Sequence, residues 1–339
     1  MDFDAGSASV ADDERRIGSD LRRDDGIAQF VLSDSTLIYA TGAPYGHRRL
    51  ALVSRGGAME ELAIPAARIL GASFSPDGSQ LALAIIENQS NIWVYDLGTM
   101  QRRKLTGGGN NFGPHWSAGG ASIYFTSDRD GQASAVYRTS PDSGPGDAVR
   151  VFEYGPTVII QQLHAGDVAT VSLRSGDIGN DLYLVDLGAG AIRPVASRPD
   201  HSEGLANLSP DGGWLALTVD ATGRSEVVIQ PVDGDVGPRV RVSREGGEEP
   251  VWAPDMSELY YRYGSRLYAV SVSLEGGRPK TGQPEVIFDI DRWRNIPGFS
   301  YWRNPADGRF LILLDDQPST SRSLRVIEGW RNAGTQSTQ

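Results

Sequence analysis

His201 and Glu203 lie two residues apart in the stretch "RPDHSEG", and a histidine beside a carboxylate is the pairing that orients a catalytic base. His115, in "FGPHWS", is the other histidine that such chemistry could use. Together these three side chains predict a hydrolase or lyase acting on a lactone, an ester, a phosphotriester or an acidic sugar. A polar loop without catalysis is the competing interpretation.

A divalent metal, either zinc, manganese or calcium, is the cofactor that such an enzyme would use to activate water. The chain has 4 histidines and 43 acidic residues as ligands for it. They form neither an HExxH motif nor an EF-hand loop, and the histidines fall in four different segments. The fold itself would therefore have to assemble any metal site.

A second group of carboxylates recurs in the tetrapeptide Ser-Pro-Asp-Gly and its variants, as at Asp77 and Asp211. Proline fixes φ at the second position of a type I turn, and glycine leaves the turn without steric cost. If the copies occupy equivalent corners of successive repeat units, they lie about one unit's width apart around a common rim, too far to share a proton or a metal. We interpret them as turn formers.

The turn recurs along the whole chain and defines a repeat. Its first position falls at residues 33, 75, 117, 164, 209, 253 and 304, at intervals of 42 to 51 residues. Each turn is followed by β-branched and aromatic runs, such as "NIWVYDL" and "DLYLVDL", which predict strands. Four strands per unit at this period predict an all-β protein, a β-propeller of four-stranded blades.

The two chain ends predict how the ring closes. The last unit offers three strands, and residues 4–21 match in length and character the segment 273–290, which leads to an outermost strand. We therefore expect seven blades, with an N-terminal strand completing the last one; a six-bladed ring with a loose end is the alternative. The expected domains are a flexible segment at 1–15, one propeller at 16–330 and a disordered tail at 331–339.

The mouth of the central channel, lined by the starts of the innermost strands, is where a propeller binds ligands. Alignment of the units on the turn places a set of polar and aromatic side chains there as ligand-binding candidates: Gln29, Asn111, Asn207, Glu248, Glu249, Trp293 and Arg294. Trp293, flanked by two arginines, could offer a stacking face to an anionic or peptide ligand, or form an ordinary cation–π pair. For Glu248 and Glu249, backbone capping competes with catalysis.

Composition narrows the classes of partner. A formal net charge of −11 argues against nucleic acid, and the absence of cysteine removes thiol chemistry and disulfides. The N-terminus "MDFDAGSASVADDERR" lacks the features of a signal peptide, and no segment is apolar enough to span a membrane. We expect a soluble monomer, cytoplasmic as given and extracytoplasmic if it belongs to a membrane-tethered parent.

The segments "SFSPDGSQLALA", "NLSPDGGWLALTVDATGRSEVVIQPV" and "EEPVWAPDMSELYYRYGSRLYAVSV" resemble TolB-type propeller repeats, in a likeness that covers nearly the whole chain. The form that it resembles follows the kinase domain of many bacterial serine/threonine protein kinases. The chain itself lacks the glycine-rich loop, HRD and DFG motifs of a kinase. The resemblance implies a sensing or protein-binding module.

The sequence therefore favours a non-catalytic binding or sensing propeller that captures a protein, a peptide or a small molecule at the channel mouth. The alternative is the metal-dependent or His/Glu-assisted hydrolase or lyase described above. A purely structural spacer is the third interpretation.

Overall fold

The computed structural model describes a defined part of the chain, in two compact units. The described residues are 3–4, 9–10, 15–16, 23–24, 27–28, 30–33, 36–40, 46–131, 133–155, 157–175, 179–196, 202–220, 223–232, 239–274, 278–293, 296, 298–316 and 324–328. The smaller unit comprises Met1–His47 with Asp315–Gln339, and the larger one comprises Arg48–Leu314. The predicted tail at 331–339 and most of the segment at 1–15 lie outside the described residues.

The described residues of the smaller unit form short strands. They are β1 (Phe3–Asp4), β2 (Ser9–Val10), β3 (Arg15–Arg16), β4 (Arg23–Asp24), β5 (Ile27–Ala28), β6 (Phe30–Leu32), β7 (Thr36–Ala40) and, near the C-terminus, β33 (Leu324–Glu328). Three sheets form from them, in the orders β1-β2-β3, β4-β5 and β33-β7-β6.

The larger unit contains six sheets, five of four strands and one of five, which we call blades one to six. Blade one has β10 (Arg68–Phe74), β11 (Gln80–Ile86), β12 (Ser90–Asp96) and β13 (Arg102–Lys104), and blade two has β14 (Asn111–Trp116), β15 (Ile123–Ser127), β16 (Ala135–Thr139) and β17 (Val149–Phe152). Blade three has β18 (Val158–Leu163), β19 (Val168–Ser175), β20 (Gly179–Asp186) and β21 (Ala191–Ala196), with a 3-10 turn at Ala165–Asp167. Blade four has β22 (Ser202–Leu208), β23 (Trp214–Asp220), β24 (Glu226–Pro231) and β25 (Val240–Arg241).

The last two blades depart slightly from this plan. Blade five has β26 (Glu248–Trp252), β27 (Glu258–Tyr263) and β28 (Arg266–Ser273), and its third strand pairs with both β29 (Lys280–Thr281) and β30 (Glu285–Asp289). Blade six has its inner strands β31 (Tyr301–Arg303) and β32 (Phe310–Asp315) from the end of the unit and its outer strands β8 (Arg48–Val53) and β9 (Met59–Glu61) from the beginning.

Six apolar clusters hold the blades together, and each is shared by two neighbouring blades. Leu83 of blade one packs with Leu311 of blade six, for example, and Ile160 of blade three packs with Val136 of blade two. Removal of these side chains from water is the main favourable contribution to folding. The remaining clusters join blades one and two, three and four, four and five, and five and six, so the ring is closed.

The blade count corrects the preferred seven-blade expectation and confirms the six-blade alternative. The hairpin that carries Ser33, counted as the first blade, forms β6 and β7 and pairs with β33 in the smaller unit. The outer strands of blade six come from residues 48–61, and residues 4–21 supply none of its strands. Because β8 lies directly beside β32, six blades already close the ring and leave no gap for a seventh.

The aspartates of the recurrent turns bind their own turns. The Asp77 carboxylate accepts hydrogen bonds from the Ser75 hydroxyl (2.6 Å) and from the Ser79 amide (3.0 Å). Asp211 does the same with the Ser209 hydroxyl and the Gly213 amide. These donors lower the pKa of Asp77 to about 2. The turn carboxylates therefore act as backbone caps, one in each blade that has them.

Candidate functional site

The innermost strands of blades one to five share a β-bulge, which sets the direction of the side chains around the channel. The pairing register shifts in β10, β14, β18, β22 and β26. Four residues before the turn, Gly113, Leu205 and Glu249 have φ of +60°, +44° and +58°. A bulge with a left-handed residue re-aims the neighbouring side chains. We call the end where these strands begin the entrance face, and the opposite end the turn face.

Glu249, at the bulge of β26, is buried between blades five and six. Its carboxylate accepts a 2.6 Å hydrogen bond from the Ser300 amide and a 2.7 Å bond from the Ser300 hydroxyl. The Arg262 guanidinium donates to the other carboxylate oxygen at 3.2 Å. The Tyr301 hydroxyl donates to the Glu249 backbone oxygen at 2.7 Å. A strained backbone and a buried charge thus coincide at this junction.

Burial raises the pKa of Glu249 to about 7, against the opposing influence of Arg262 and of the hydrogen bonds from Ser300. Arg262 lies 4.8 Å from the centre of the Trp293 ring, and the Trp293 indole N–H donates to the Ser300 backbone oxygen at 3.2 Å. Glu248 is 3.5 Å from the same guanidinium. Arg262 therefore forms ion pairs with two carboxylates and a cation–π contact with one aromatic ring.

Trp293 requires a correction. Its side chain is only 2% exposed. The sequence predicted that its two neighbouring arginines would supply positive charge beside the ring. In the structure the cation over the ring is instead Arg262 of blade five. The ring is therefore an internal contact of the junction, and the stacking face proposed for a ligand is occupied. Arg294 lies outside the described residues, as do Gln29 and His201.

Glu203 and Asn111 are buried polar residues of the innermost strands, and both are engaged within the protein. The carboxylate of Glu203 pairs with Arg239, which also binds Gln230 of the same blade. The Asn111 amide donates to the Gly108 backbone oxygen at 3.2 Å, and its carbonyl accepts a 2.8 Å hydrogen bond from Arg129. Each of these buried polar side chains thus finds its hydrogen-bond or ion-pair partners in a loop or an outer strand of its own blade.

Asn207 links blade four to blade five. Its side-chain oxygen accepts the Trp252 backbone N–H at 3.0 Å, and its backbone oxygen accepts the Trp252 indole N–H at 3.2 Å. Blade one makes the same side-chain link to blade two, where the Ser73 hydroxyl accepts the Trp116 backbone N–H at 3.1 Å. Ser73 and Asn207 both lie two residues before the turn, so the repeat specifies this contact.

His115 and His164 come together between blades two and three, although 49 positions separate them in the chain. Desolvation lowers the pKa of His115 to about 4 despite a hydrogen bond with the Ile160 backbone oxygen. Desolvation and the nearby His115 lower the pKa of His164 to about 3, and the His164 Nε2 lies 3.3 Å from the Thr170 hydroxyl. His164 stands at the first position of the repeated turn, and its contact with His115 is visible only in three dimensions.

The candidate metal ligands are described only in part, since His201 lies outside the described residues. Within the described part of the chain, no group of three or more histidine, aspartate or glutamate side chains is placed to hold a metal ion. The His115–His164 pair supplies neutral imidazoles, which are the metal-binding form, but two ligands fall short of the usual three or four.

Three exposed apolar side chains lie on the entrance face, and sequence reasoning missed all of them. Tyr154 precedes β18 and is 51% exposed, Ile159 is the second residue of β18, and Tyr263 ends β27 with 41% exposure. Tyrosine and isoleucine at these positions satisfy the strand pattern, so nothing in the sequence marks them as unusual. Tyr154 and Ile159 lie at the start of blade three and Tyr263 lies in blade five, so the exposed apolar residues of this face are spread over two blades.

Comparison with known proteins identifies the repeat. Residues 55–154 match the family described as the TolB beta propeller domain. Over 190 residues the chain is 25% identical to the Tol-Pal system protein TolB of Francisella tularensis subsp. mediasiatica (strain FSC147), covering 54% of this chain and 43% of that protein. Over 195 residues it is 26% identical to the uncharacterized peptidase YuxL of Bacillus subtilis (strain 168), covering 44% and 29%.

The chain spans less than half the length of these two curated relatives. Among solved structures it is similar to the protein described as putative TolB from Agrobacterium tumefaciens, with a TM-score of 0.65 and 17% identity, over 80% of this chain and 99% of that one. This likeness establishes the propeller fold. No helix among the described residues is long and apolar enough to cross a membrane.

Proposed function

We propose that this chain, a TolB-like β-propeller, is a non-catalytic binding or sensing module that holds a partner protein on its entrance face. The observation that carries the proposal concerns the side chains of that face. Three apolar ones are exposed to solvent, whereas two acidic ones are buried in ion pairs within the protein. Tyr154, Ile159 and Tyr263 are available to a partner, whereas Glu203 and Glu249 already have cations inside the fold.

The described side chains are poorly suited to acid–base catalysis at neutral pH. A general base works best when its pKa lies near the operating pH, and desolvation holds the pKa of His115 and of His164 at about 4 and about 3. Glu249 has a pKa of about 7, but its carboxylate is 2% exposed and faces Ser300 and Arg262 of the junction. Substrate would have to displace these internal partners.

A protein is the favoured class of partner. Tyrosines are enriched at protein interfaces because their rings bury a large apolar area while the hydroxyl keeps a polar contact. A relative that is 25% identical over 190 residues is named as a protein of the Tol-Pal system. A peptide or a small molecule at the same face, and an attachment to a kinase domain, remain predictions of the sequence.

Site-specific photo-crosslinking in the bacterium that produces the protein tests this proposal. A photoreactive phenylalanine analogue at Tyr154 or Tyr263 should capture the same protein, because both positions lie on the entrance face. The matched control is Val286, which is 44% exposed on the outer strand β30 and should capture nothing specific. Ile159→Ser should lower the yield, and Val149→Ser, on the outer strand β17, should leave it unchanged.

The hydrolase alternative has a separate test. Elemental analysis of the purified protein, followed by assays on lactones, esters and phosphotriesters with and without chelator, would reveal a metal enzyme. Stoichiometric metal with chelator-sensitive turnover that His115→Ala abolishes would replace the binding proposal by the enzyme. A metal-free, inert protein with position-specific adducts would support the binding module.

A further inference from the structure

Two arginines at the entrance-face end of blade four are held by one buried carboxylate. The Arg224 guanidinium donates to an oxygen of Glu226 at 2.7 Å, and the Arg241 guanidinium donates to the same oxygen at 2.5 Å. The Glu226 side chain is 9% exposed, whereas those of Arg224 and Arg241 are 49% and 53% exposed. The carboxylate therefore lies beneath the two cations, and the guanidiniums face solvent.

The same contacts fix the positions of the two guanidiniums. Arg241 also donates to the Ser243 backbone oxygen at 2.8 Å and to the Arg244 backbone oxygen. Arg224 uses two of its three nitrogens on Glu226. Binding normally costs an arginine its rotamer freedom, and folding has already removed that freedom here. Each guanidinium keeps further N–H donors for an acceptor from outside, since arginine has five of them.

An exposed aromatic ring lies against the same short segment, residues 243–247, which leads from blade four into blade five. At one end of the segment the Ser243 hydroxyl donates to the Glu226 carboxylate. Near the other end Gly246, with φ of +129°, lies so close to the Tyr263 ring that a Cβ would not fit between them. Tyr263 is 41% exposed, so its ring rests on backbone and still faces solvent beside the arginines.

The charge at this corner has the opposite sign to that of the whole chain. The formal net charge of the chain is −11. Arg244 is exposed on the segment and adds a third guanidinium, and Glu245 is the segment's single acidic residue. Because Glu226 is buried under its arginines, the corner presents mainly cations to a partner. Acidic groups are therefore attracted to this corner and repelled by an acidic surface elsewhere.

We propose that Arg224, Arg241 and Tyr263 bind an acidic segment of the partner protein. A glutamate or aspartate of that segment accepts hydrogen bonds from the two guanidiniums, and an apolar neighbour packs on the Tyr263 ring. Arginine and tyrosine are enriched among the residues that dominate the binding energy of protein interfaces. The inference rests on the proposed function and adds the chemistry of the partner.

Titration with a short acidic peptide tests this surface. The probe is acetyl-Gly-Glu-Leu-Glu-Gly-amide, and the protein carries 3-fluorotyrosine at its 12 tyrosines. The fluorine signal of Tyr263 is identified by its loss in Tyr263→Phe. We expect this signal to shift with a Kd on the order of 1 mM, as for a few exposed contacts. The same peptide with glutamine in place of both glutamates should bind about fivefold more weakly.

Arg241→Gln removes one cation and leaves Glu226 with Arg224, so it should weaken binding of the acidic peptide about fivefold. Arg150→Gln is the matched control, since Arg150 is 48% exposed on β17 of blade two and the change in net charge is the same. The control should leave binding unchanged. An unshifted Tyr263 signal, equal binding of the glutamine peptide, or equal weakening in the two variants overturns the inference. The glutamine comparison needs no variant, so it decides the matter even if Arg241→Gln fails to fold.

Photo-crosslinking at Tyr154 separates this inference from the proposed function. If adducts form there, and neither their yield nor the acidic peptide responds to Arg241→Gln, the binding module stands and its acidic partner segment is refuted. If no adduct forms at either entrance-face position while the peptide binds as expected, the proposed partner is refuted and the preference of this surface for acidic segments is supported.

Discussion

Two junctions between neighbouring blades, five with six and two with three, place a side-chain contact at the same position of the repeat. They make this contact with different chemical groups, a carboxylate at the first junction and an imidazole at the second. In both, a side chain from one blade binds the next blade at the residue four positions before its turn, which is Ser300 in blade six and Ile160 in blade three. Glu249 makes this contact at the first junction as a buried carboxylate. His115 makes it at the second as a neutral imidazole.

The difference teaches that the propeller fixes where neighbouring blades touch and leaves the chemistry of the contact to the residue available. At the left-handed position of the bulge, blade two has Gly113, which has no side chain, so the contact passes to His115 two residues later. Blade five has Glu249 at that position and needs Arg262 to balance its charge. The two junctions should therefore respond to pH with opposite signs.

Replacement of Arg262 by methionine should give the largest effect. The variant breaks the buried pair and removes the cation that opposes the rise in the Glu249 pKa, so the typical cost of about 3–5 kcal/mol of unfolding free energy is expected above neutral pH, where the wild-type carboxylate is ionised. Chemical denaturation at a pH of about 8.5 measures this loss. Arg266→Met is the control, because Arg266 pairs with Asp289 at the surface of the same blade and should change stability far less. Equal losses in the two variants would mean that the buried pair has no special role.

Glu249→Gln should remove a pH dependence. Because the folded protein raises the pKa of Glu249 from 4.5 to about 7, the contribution of this carboxyl is complete below pH 4.5 and is lost as the pH rises through about 7. The wild type should thus lose about 3 kcal/mol relative to Glu249→Gln over that rise. Denaturation curves across the range test this, with the exposed Glu245→Gln as a control that should show no such trend.

His164→Asn should show the opposite sign. The folded protein lowers the pKa of His164 from 6.5 to about 3, so the stability from the neutral imidazole is present above pH 6.5 and is lost as the pH falls. At a pH of about 5 the wild type should have lost about 2 kcal/mol relative to the variant. Asparagine suits the position because Asn304 occupies it in blade six. A parallel response in the exposed control His47→Asn would contradict the assignment.

Two neutral hydrogen bonds, one at each junction, should give the smallest effect. Tyr301→Phe removes the donor to the Glu249 backbone oxygen, and Thr126→Val removes the acceptor of the Ile160 amide. Each should cost about 1 kcal/mol and change little with pH, because neither bond carries a charge. A strong pH trend in Thr126→Val would show that the histidines alone do not set the response of their junction.

The sequence located the turns and the strands that follow them well, because both depend on neighbouring residues. Residues 75–78 and 209–212 form the turns that proline, aspartate and glycine predict. The alignment on these turns also placed Glu248, Glu249 and Asn207 on innermost strands. It did not show that Asn207 anchors Trp252, or that Glu249 faces Ser300, because these partners are 45 and 51 positions away.

The sequence by itself determined an all-β chain of repeated four-stranded units, since turn chemistry and strand patterns are local properties that each segment carries. The tertiary structure alone decided the number of blades and the chemistry of their junctions. Ring closure depends on β8 lying beside β32, strands from opposite ends of the larger unit, and the state of Glu249 depends on its burial against Arg262. Both are contacts between distant residues, and no local pattern encodes them.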